Sequence, residues 1–471
     1  MKSTSQKQKE FQTGFEQSQR THIVMVTNHG MHNWNIVPGL PDTGGQNVFV
    51  NQLSQALADS GCRVTVFNRG GYPHPTTGDF REGILYRDKH QRLVFLTDNT
   101  PNFIPKEQMA PHIPELAQSL IRFLSSDPAP TNLFISHYWD GAEIGRLCAC
   151  ALNPTPLHIW IPHSLGFIKK QNVSPEQWDK LAIDQRISIE QTLCTEVDAI
   201  VSTSSLIMES LKNQYKYRKP VLDLPPCIDT DRFYPRKIHP ENPIWTYISQ
   251  HCDLSPSQLQ SKKIITEISR TDSTKRKDVL IKAFLKLNKD FPDTLLLTSI
   301  DPDEAVGREL MHLINSADNK KNIAVFSNVY NQLPDLYAVS SLYCTPSIME
   351  GFGMSAQEAA ATGIPIVASN RVPFAVEFLM GNRIDKRKLD GKNESLLIGE
   401  GAVIVPADDA EGLAEAMAIL LDNEQLRLSM GRAAYRLTIP AFSWKDRIKG
   451  FLQQIKNLDS NQAVCGKPDQ P

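Results

Sequence analysis

The sequence has no long hydrophobic run, since no apolar stretch approaches the roughly 18 residues that a membrane-spanning helix requires. It also has little excess of either charge, because 50 lysines and arginines against 52 aspartates and glutamates give a formal net charge of −2. No basic face is therefore available for nucleic acid. These absences argue against membrane and nucleic-acid partners, and we expect small-molecule substrates as the partners of this chain.

Paired cysteines and an export signal are also missing. The eight cysteines include no Cys-x-x-Cys pair, and Cys62, Cys194 and Cys344 lie in apolar runs, as reduced core thiols do. Residues 1–20 contain no apolar segment of the kind a signal peptide needs. We expect a cytoplasmic protein with no structural metal, no required cofactor, and disordered tails at 1–20 and 460–471. The oligomeric state stays open.

The 471 residues, 41% hydrophobic and 22% charged, are enough for two or three domains. Apolar segments alternate with helical patterns in both halves, which is typical of parallel sheets with crossover helices. We predict an α/β fold of two doubly wound, Rossmann-like domains that face each other across a cleft, at 21–225 and 226–443. A helix at 444–459 is expected to pack back across the hinge.

The strands predicted for the first domain are Ile23–Asn28, Arg63–Phe67, Leu133–Ser136, Leu157–Ile161, Ala199–Thr203 and Val221–Leu224. A helix over 46–60 separates the first two. In the second domain the predicted strands lie in the apolar segments 262–269, 294–300, 322–328, 341–347 and 364–369. A helix from Lys277 follows the first of them.

Two glutamates eight positions apart flank a glycine turn. Glu350 precedes Gly351-Phe352-Gly353, and Glu358 lies about two turns inside the Ala-rich helix that follows. Taken alone, the glutamates could simply face solvent. Their position at the carboxyl end of a predicted strand, where open α/β sheets bind ligands, favours a pair of acceptors for sugar hydroxyls.

A basic segment follows the first strand of the second domain. Arg270 stands at the strand end, and Lys275, Arg276 and Lys277 surround the next helix start. Cations at a helix N-terminus oppose its dipole unless an anion lies there, so the pattern indicates a bound phosphate. A solvated basic turn is the alternative.

Gly44 and Gly45 precede the first helix, where backbone N–H groups attract phosphate. A plain glycine turn explains them equally well. A dinucleotide-binding dehydrogenase is a weaker alternative, because the third glycine is missing and Asn68-Arg69, not an acid, ends the second strand.

Taken together, these segments resemble the retaining glycosyltransferases of family 4, which have the two-domain GT-B fold and include sucrose-phosphate synthase, sucrose synthase and mannosylfructose-phosphate synthase. The resemblance covers residues 22–455. It rests on PDTGGQ (41–46), FIPKE (103–107), SHYWDG (136–141), HSLG (163–166), PPCIDTDRF (225–233), SRTDSTK (269–275) and EGFG (350–353) with Glu358.

The resemblance implies a role for each matched residue on the donor side. Arg270 and Lys275 would hold the donor diphosphate, Glu350 the donor sugar hydroxyls, and Glu358 the ribose. Gly45 would meet the diphosphate from the opposite domain, and His163 a sugar hydroxyl near the reacting centre. The expected donor site also includes Gly44 and the turn Gly351, Phe352 and Gly353; the expected catalytic residues are His163, Arg270, Lys275 and Glu350.

On the acceptor side, HSLG with Lys169 six residues after the histidine resembles the enzymes that use fructose 6-phosphate. A phosphorylated acceptor needs fixed cations. The expected acceptor-binding residues are Gly45, Gln46, Lys106, His137, Tyr138, Lys169, Lys170 and Arg186.

The resemblance thus implies transfer of glucose from UDP-glucose, or ADP-glucose, to fructose 6-phosphate with retention of configuration. Ser205, Cys227 and Thr271 depart from the family pattern. The alternatives are a mannosylfructose-phosphate synthase that uses GDP-mannose, a sucrose synthase, and a sugar-nucleotide sensor without turnover.

Overall fold

The computed structural model describes residues 4–36, 40, 42–327, 329–388 and 395–465. The chain divides into two compact units. An N-terminal unit comprises Met1–Pro225 with Trp444–Pro471, and a C-terminal unit comprises Pro226–Ser443. Each unit contains an eight-stranded, mainly parallel sheet with helices between its strands, so the predicted doubly wound α/β class is confirmed.

The sheet of the N-terminal unit has the order β3-β4-β2-β1-β5-β6-β7-β8, and only β3 in it pairs antiparallel among the described strands. Its strands are β1 (His22–Thr27), β2 (Arg63–Arg69), β3 (Ile84–Tyr86), β4 (Gln91–Leu96), β5 (Leu133–His137), β6 (Leu157–Ile161), β7 (Ala199–Ser202) and β8 (Val221–Asp223).

The helices of the N-terminal unit are α1 (Thr4–Glu16), α2 (Gly45–Asp59), α3 (Ile113–Ser126), α4 (Tyr138–Ala149), α5 (Gly166–Asn172), α6 (Ile183–Glu196), α7 (Ser205–Asn213) and, from the end of the chain, α17 (Trp444–Cys465). Apolar residues of β1, β4 and β5 pack against α3 and α4 in one core cluster.

The six strands predicted for this unit are confirmed to within two residues at each end, but β3 and β4 were not predicted. All six residues of β4 are buried although the strand begins with Gln91 and Arg92. The Arg92 guanidinium donates to Thr65 at 2.9 Å and to Asp127. Because its polar side chains are buried with hydrogen-bond partners, this core strand lacks the apolar run by which a strand is predicted from sequence.

The expectation of a disordered tail at 1–20 is wrong for residues 4–16, which form α1. Phe15 is completely buried there, with its ring 6.1 Å from that of Tyr86 and 5.7 Å from that of His22. The Arg92 guanidinium lies 4.3 Å from the Phe15 ring centroid. Phe15 therefore docks an otherwise polar helix on the sheet, together with Gln8, whose side chain is hydrogen-bonded to the backbone of Tyr86 at 2.9 and 3.1 Å.

The last helix is longer than predicted. It begins at Trp444, as expected, but continues to Cys465 instead of ending at 458 or 459. The predicted disorder of 460–471 is thus wrong for 460–465, while 466–471 lie outside the described residues. Trp444 donates from Nε1 to Oε1 of Gln52 at 3.0 Å, which ties the helix to α2.

The sheet of the C-terminal unit has the order β11-β10-β9-β12-β13-β16-β15-β14. Its strands are β9 (Lys263–Glu267), β10 (Thr294–Ser299), β11 (Ile323–Phe326), β12 (Leu342–Thr345), β13 (Ile366–Ser369), β14 (Asp385–Lys388), β15 (Ser395–Ile398) and β16 (Ala402–Val405). The five predicted strands are confirmed as β9 to β13, whereas β16 and the antiparallel edge strands β14 and β15 were not predicted.

The helices of the C-terminal unit are α8 (Pro243–Ser249), α9 (Pro256–Leu259), α10 (Lys277–Asp290), α11 (Ala305–Asn315), α12 (Leu333–Ala338), α13 (Met354–Ala361), α14 (Pro373–Phe378), α15 (Ala410–Asp422) and α16 (Glu424–Thr438). A 3₁₀ turn, Ser273–Lys275, precedes α10.

Strand order reverses at one place in each sheet. In the N-terminal unit β1 lies between β2 and β5, and in the C-terminal unit β9 lies between β10 and β12. The loops that leave these strands diverge to opposite faces, which opens a crevice at their carboxyl ends. Each unit therefore provides one ligand-binding edge.

None of the described helices is long and apolar enough to cross a membrane.

Candidate active site

The loop after β9 carries the predicted donor-binding cations. Nζ of Lys275 donates to Oε1 of Glu350 at 2.6 Å, so residues 75 positions apart in sequence lie side by side. The two loops are also joined through their backbones, because Ile348 N–H donates to the carbonyl of Thr274 at 2.9 Å. Both side chains are mostly buried, 10% exposed for Lys275 and 18% for Glu350. The pair is therefore preorganised at the crevice edge.

The other two cations at the start of α10 are already neutralised. Lys277 is buried, and its Nζ lies 2.8 Å from Oε2 of Glu267 and donates to the carbonyl of Ser299 at 2.6 Å. Arg276 contacts the carboxylates of Asp278 and Asp408. The interpretation that three cations mark one phosphate site is thus wrong for Lys277, because the lysine faces the core and not the loop.

Arg270 stands at the end of β9 with its side chain 73% exposed, and its guanidinium lies 3.8 Å from a carboxylate oxygen of Asp272. At this distance the pair is a weak surface contact. The side chain is consequently free to rearrange toward an anion, in contrast to the fixed Lys275.

The turn after Glu350 is shaped by its glycine and its phenylalanine. Gly353 has φ +109°, and a Cβ there would approach Cγ1 of Val372 to 2.7 Å, so only glycine fits. Phe352 is 4% exposed and its ring packs 5.4 Å from that of Phe374. The Phe352 side chain therefore anchors the turn in the core, while Gly351 is exposed.

Glu358 lies on α13 in a partly exposed position. Burial of the carboxyl raises the pKa of Glu358 to about 7, against the opposing effects of the Arg232 charge and the Tyr337 hydroxyl. Arg232 itself is held by the Tyr330 ring, 4.0 Å from its guanidinium. Near neutral pH this carboxyl can therefore either donate or accept a hydrogen bond.

In the N-terminal unit, four predicted acceptor-binding residues line one pocket at the carboxyl ends of the strands. Lys106, Tyr138, Lys169 and Arg186 share it with Glu107, Trp139, Leu181, Ala182 and Gln185. The sequence places these residues in four separate segments. The fold thus brings three cations to one concave surface.

Each cation of this pocket has a carboxylate partner, but the pairs differ in how closely they contact. Lys106 pairs with Asp42, whereas Lys169 has Glu107 at 3.5 Å, a long contact for a charged pair. Burial and the nearby charge of Arg186 lower the pKa of Lys169, and Glu107 opposes this only partly. An anion in the pocket would relieve that conflict.

Arg186 is held rigidly at the base of the pocket. It is 4% exposed; it donates from Nε to Glu190 at 2.7 Å and from a terminal nitrogen to the Tyr138 hydroxyl at 2.5 Å. Its second terminal nitrogen donates to the carbonyl of Ser164 at 2.6 Å. Lys170, by contrast, contacts Asp184 at 2.5 Å and lies 4.3 Å from the Trp178 ring, and neither of those residues lines the pocket.

The two predicted histidines contact each other. Nδ1 of His137 and Nε2 of His163 are 2.9 Å apart, and Phe49 packs edge-on against the His163 ring at 5.1 Å. His163 is partly exposed, but His137 is completely buried beneath it. Burial lowers the pKa of His163 to about 3, so the ring is neutral at physiological pH.

The two glycines at the start of α2 have different surroundings. The Gly44 N–H donates to Oδ1 of Asn47 at 2.9 Å and is thereby occupied, while Gly45 begins α2 and is exposed. Gln46 donates from Nε2 to Oγ1 of Thr27 at 3.3 Å, at the end of β1.

Several residues of the candidate site in the N-terminal unit have a strained backbone, including Tyr138 and Ala182 of the pocket. Asp42, Tyr138, His163 and Ala182 have φ values of +52°, +64°, +56° and +47°, in the left-handed region that non-glycine residues avoid. Such conformations persist only where the surrounding structure holds them, and they cluster at functional sites.

Two carboxylates and one arginine of the site were not selected as candidate site residues from the sequence. Asp42 and Glu107 balance the pocket lysines, and Arg232 acts on Glu358. All three lie in motifs that carry the resemblance, PDTGGQ, FIPKE and PPCIDTDRF, and Glu107 also directly follows the predicted anion-binding Lys106. The effect of Arg232 on Glu358 gives no local signal, because the two residues are far apart in sequence.

Comparison with known families identifies both halves of the chain. Residues 43–232 match the family model described as Glycosyltransferase Family 4, and residues 255–437 match the model described as Glycosyl transferases group 1.

Several relatives are similar over most of the chain. A mannosylfructose-phosphate synthase from Agrobacterium fabrum is 26% identical over 95% of this chain and 92% of its own. A D-inositol 3-phosphate glycosyltransferase from Corynebacterium glutamicum is 23% identical, covering 91% and 96%. A probable sucrose-phosphate synthase from Thermosipho melanesiensis is 24% identical, covering 88% and 91%.

Solved structures support the same fold. Sucrose-phosphate synthase from Thermosynechococcus elongatus superimposes with a TM-score of 0.73 at 21% identity, over 95% of this chain and all of that one. Anabaena HepE, solved in complex with UDP and glucose, gives a TM-score of 0.65 at 16% identity, over 93% and 99%. The chain is therefore a glycosyltransferase of the GT-B fold, with a family 4 domain followed by a group 1 domain.

Proposed function

We propose that this glycosyltransferase transfers glucose from UDP-glucose to the 2-hydroxyl of fructose 6-phosphate, with retention at the anomeric carbon, and so forms sucrose 6-phosphate. The C-terminal unit would bind the donor and the N-terminal unit the acceptor.

The observation that carries this proposal is the convergence of Lys106, Lys169 and Arg186 on one pocket. A free sugar needs neutral donors and acceptors, whereas a phosphate ester needs fixed cations. Each of these cations has a carboxylate partner, Asp42, Glu107 and Glu190 respectively, but Lys169 contacts Glu107 only at 3.5 Å. Because this contact is long, a phosphate can pair with Lys169, which favours a phosphorylated acceptor over free fructose.

On the donor side, the Lys275–Glu350 pair supports binding of a sugar diphosphate. Lys275 would donate to the diphosphate, Glu350 would accept from sugar hydroxyls, and Glu358 would accept from the ribose. Because Arg270 is exposed at the same loop, it would close on the diphosphate as a second cation.

The chemistry would proceed without an enzyme nucleophile. The bond between the anomeric carbon and the diphosphate oxygen breaks, the bond to the acceptor 2-oxygen forms on the same face, and the acceptor proton passes to the departing diphosphate. Negative charge grows on the leaving group, so Lys275 and Arg270 would contribute most in the transition state.

A mannosylfructose-phosphate synthase activity with GDP-mannose is the second candidate. It is favoured by the similarity of 26% over 95% of the chain to the Agrobacterium fabrum enzyme. The same pocket cations would serve it, since the two candidates differ in the donor and not in the phosphate on the acceptor.

Product analysis separates these activities. The protein is incubated with UDP-glucose, ADP-glucose or GDP-mannose, each with fructose or fructose 6-phosphate, and the products are analysed by mass spectrometry and NMR. We expect turnover with UDP-glucose and fructose 6-phosphate. Preference for GDP-mannose would select the second candidate, preference for fructose would reject the phosphate pocket, and nucleotide-sugar binding without any product would indicate a sensor.

A further inference from the structure

His137 lies where a ligand cannot touch it. The residue ends β5 and is completely buried, and its Nδ1 is 2.9 Å from Nε2 of His163. Its Nε2 has no hydrogen-bond partner among the described residues. The His137 ring can therefore act on a substrate only through His163.

The contact between the two rings fixes how each carries its proton. Burial keeps the pKa values of both histidines far below neutrality, so each imidazole has one N–H and one unprotonated nitrogen. One ring must therefore donate to the other. If His163 donated from Nε2, the proton of His137 would sit on its buried Nε2 without an acceptor.

The opposite arrangement leaves no buried N–H group of His137 without an acceptor. With the proton of His137 on Nδ1, the buried Nε2 is only an unpaired acceptor, and buried N–H groups are left unpaired less often than acceptors are. His163 then receives a hydrogen bond at Nε2 and carries its own proton on Nδ1.

Packing holds this geometry. The ring centroids of His137 and His163 are 5.2 Å apart with an interplanar angle of 28°, so the rings meet edge to edge, and Phe49 lies edge-on to both, at 6.3 and 5.1 Å. His163 also has a left-handed backbone, with φ +56°. The ring of His163 therefore has little freedom to turn, and Nδ1 is the ring nitrogen left for a ligand.

We propose that His137 is a positioning residue, which donates from Nδ1 to His163 and thereby sets His163 as the tautomer that donates from Nδ1 to a substrate oxygen. The kinetic part of this inference rests on the proposed transferase function. The tautomer itself is a property of the free protein.

The tautomer is measured first, by long-range nitrogen–proton correlation NMR of the free protein with the imidazoles labelled and a His163→Asn variant for assignment. We expect His163 to be protonated on Nδ1 in the wild type and in His137→Asn, whose amide N–H replaces the donor. We expect protonation on Nε2 in His137→Asp, whose carboxylate only accepts. A wild-type His163 protonated on Nε2 would overturn the proposal.

Turnover is then compared in the same variants. His137→Asn should keep kcat within about threefold, whereas His137→Asp and His137→Leu should lose about a hundredfold, with the KM for the acceptor changed less than about twofold. Equal losses in the Asn and Asp variants would reject the positioning role.

His158 provides a matched control. It is a buried histidine on the neighbouring strand β6, and its Nε2 contacts the Ser136 hydroxyl at 2.9 Å instead of a site residue. His158→Leu should lower stability without the tautomer change and with kcat nearly unchanged in the folded fraction. If no donor and acceptor pair gives product, the proposed function fails, and the NMR result still decides the assignment of His137.

Discussion

Lys169 and Lys170 are adjacent in sequence but have different surroundings. Lys169 lines the pocket with Arg186, whereas Lys170 is occupied by Asp184 and the Trp178 ring. An ammonium that is buried beside other cations stays charged most easily when an anion joins it. Burial and partners, rather than the type of residue, thus separate a binding lysine from a surface lysine.

Replacement of Lys169 by alanine tests the acceptor pocket. We expect the KM for fructose 6-phosphate to rise about 10- to 100-fold, because a charge-assisted hydrogen bond is lost, while the KM for the donor stays the same. Steady-state kinetics with Lys170→Ala as the neighbouring comparison measures this, and the second variant should change the KM less than about threefold. Equal effects of the two would remove Lys169 from the pocket's function.

Replacement of Lys275 by alanine tests the donor side. The loss of one preorganised cation at the leaving group should reduce kcat about a hundredfold or more. Lys282→Ala on α10, the helix that follows Lys275, is the control, because that side chain is 58% exposed and contacts only Asp278 at 3.5 Å among the described carboxylates. Near-normal turnover of Lys275→Ala would exclude it from the reaction.

The carboxyl of Glu358 predicts a pH dependence of donor binding. Its pKa is raised from 4.5 to about 7, so below pH 7 the carboxyl is mainly protonated and less able to accept from ribose hydroxyls. UDP-glucose should therefore bind up to about tenfold tighter at pH 8 than at pH 6, since only the ionised fraction is competent. Calorimetry in buffers of different ionisation heat should also detect proton release on binding.

The Glu358→Gln variant should bind UDP-glucose more weakly than the wild type, and its affinity should not change between pH 6 and pH 8.

The raised pKa of Glu358 also affects the stability of the protein. Between about pH 4.5 and 7 the folded protein retains a proton that the unfolded chain releases. The contribution of Glu358 to stability is thus greatest below the unfolded value and is lost as the pH rises through 7. A Gln variant with an unchanged pH profile of binding would contradict the role of Glu358.

At the level of elements, the helix α1 shows how contacts with a sheet can order a polar segment. Phe15 is buried between the Tyr86 and His22 rings and the Arg92 guanidinium. Helix propensity alone does not hold a short helix in water, so the contact with the sheet must do so.

Phe15→Ala should lower the free energy of unfolding by about 3 kcal/mol or more, the usual cost of truncating a fully buried phenylalanine. Urea denaturation followed by circular dichroism measures the change. Phe80→Ala is the control, because Phe80 is 53% exposed and its removal should cost less than about 0.5 kcal/mol. Similar losses for both variants would show that α1 is not docked through Phe15.

The strands flanking the site were predictable, whereas its ion pairs were not. The apolar run at 23–26 indicates β1, and the apolar pair Ile264 and Ile265 indicates β9, because parallel strands are buried on both faces. The direction of a lysine at a helix start depends on long-range partners, so Glu267 turns Lys277 into the core and Glu350 keeps Lys275 at the loop. A local pattern contains neither partner.

At the scale of the whole molecule, the two units differ in whether they consist of one continuous segment of the chain or of two. The C-terminal unit is continuous, Pro226–Ser443, but the N-terminal unit needs residues from both ends of the sequence. Ile448 and Phe451 of α17 are 2% and 0% exposed. A fragment that ends at 225 loses those buried contacts.

Expression of fragments tests this difference. The fragment 226–443 should unfold cooperatively and bind UDP, because its apolar clusters are made from its own residues. The fragment 1–225 should aggregate or unfold at lower temperature than a version with 444–465 joined to it. Thermal denaturation and titration with UDP provide the measurements, with Glu358→Gln in the fragment as the binding control; a stable 1–225 would contradict the prediction.

The carboxylates paired with the cations near the start of α10 also affect how the affinity for a diphosphate depends on ionic strength. Lys275 is paired with Glu350, and Arg276 with Asp278 and Asp408, before any nucleotide arrives. A diphosphate thus competes with internal counter-ions instead of displacing only salt from a bare basic surface. Its affinity should fall less steeply with added salt than the number of basic residues in this loop suggests.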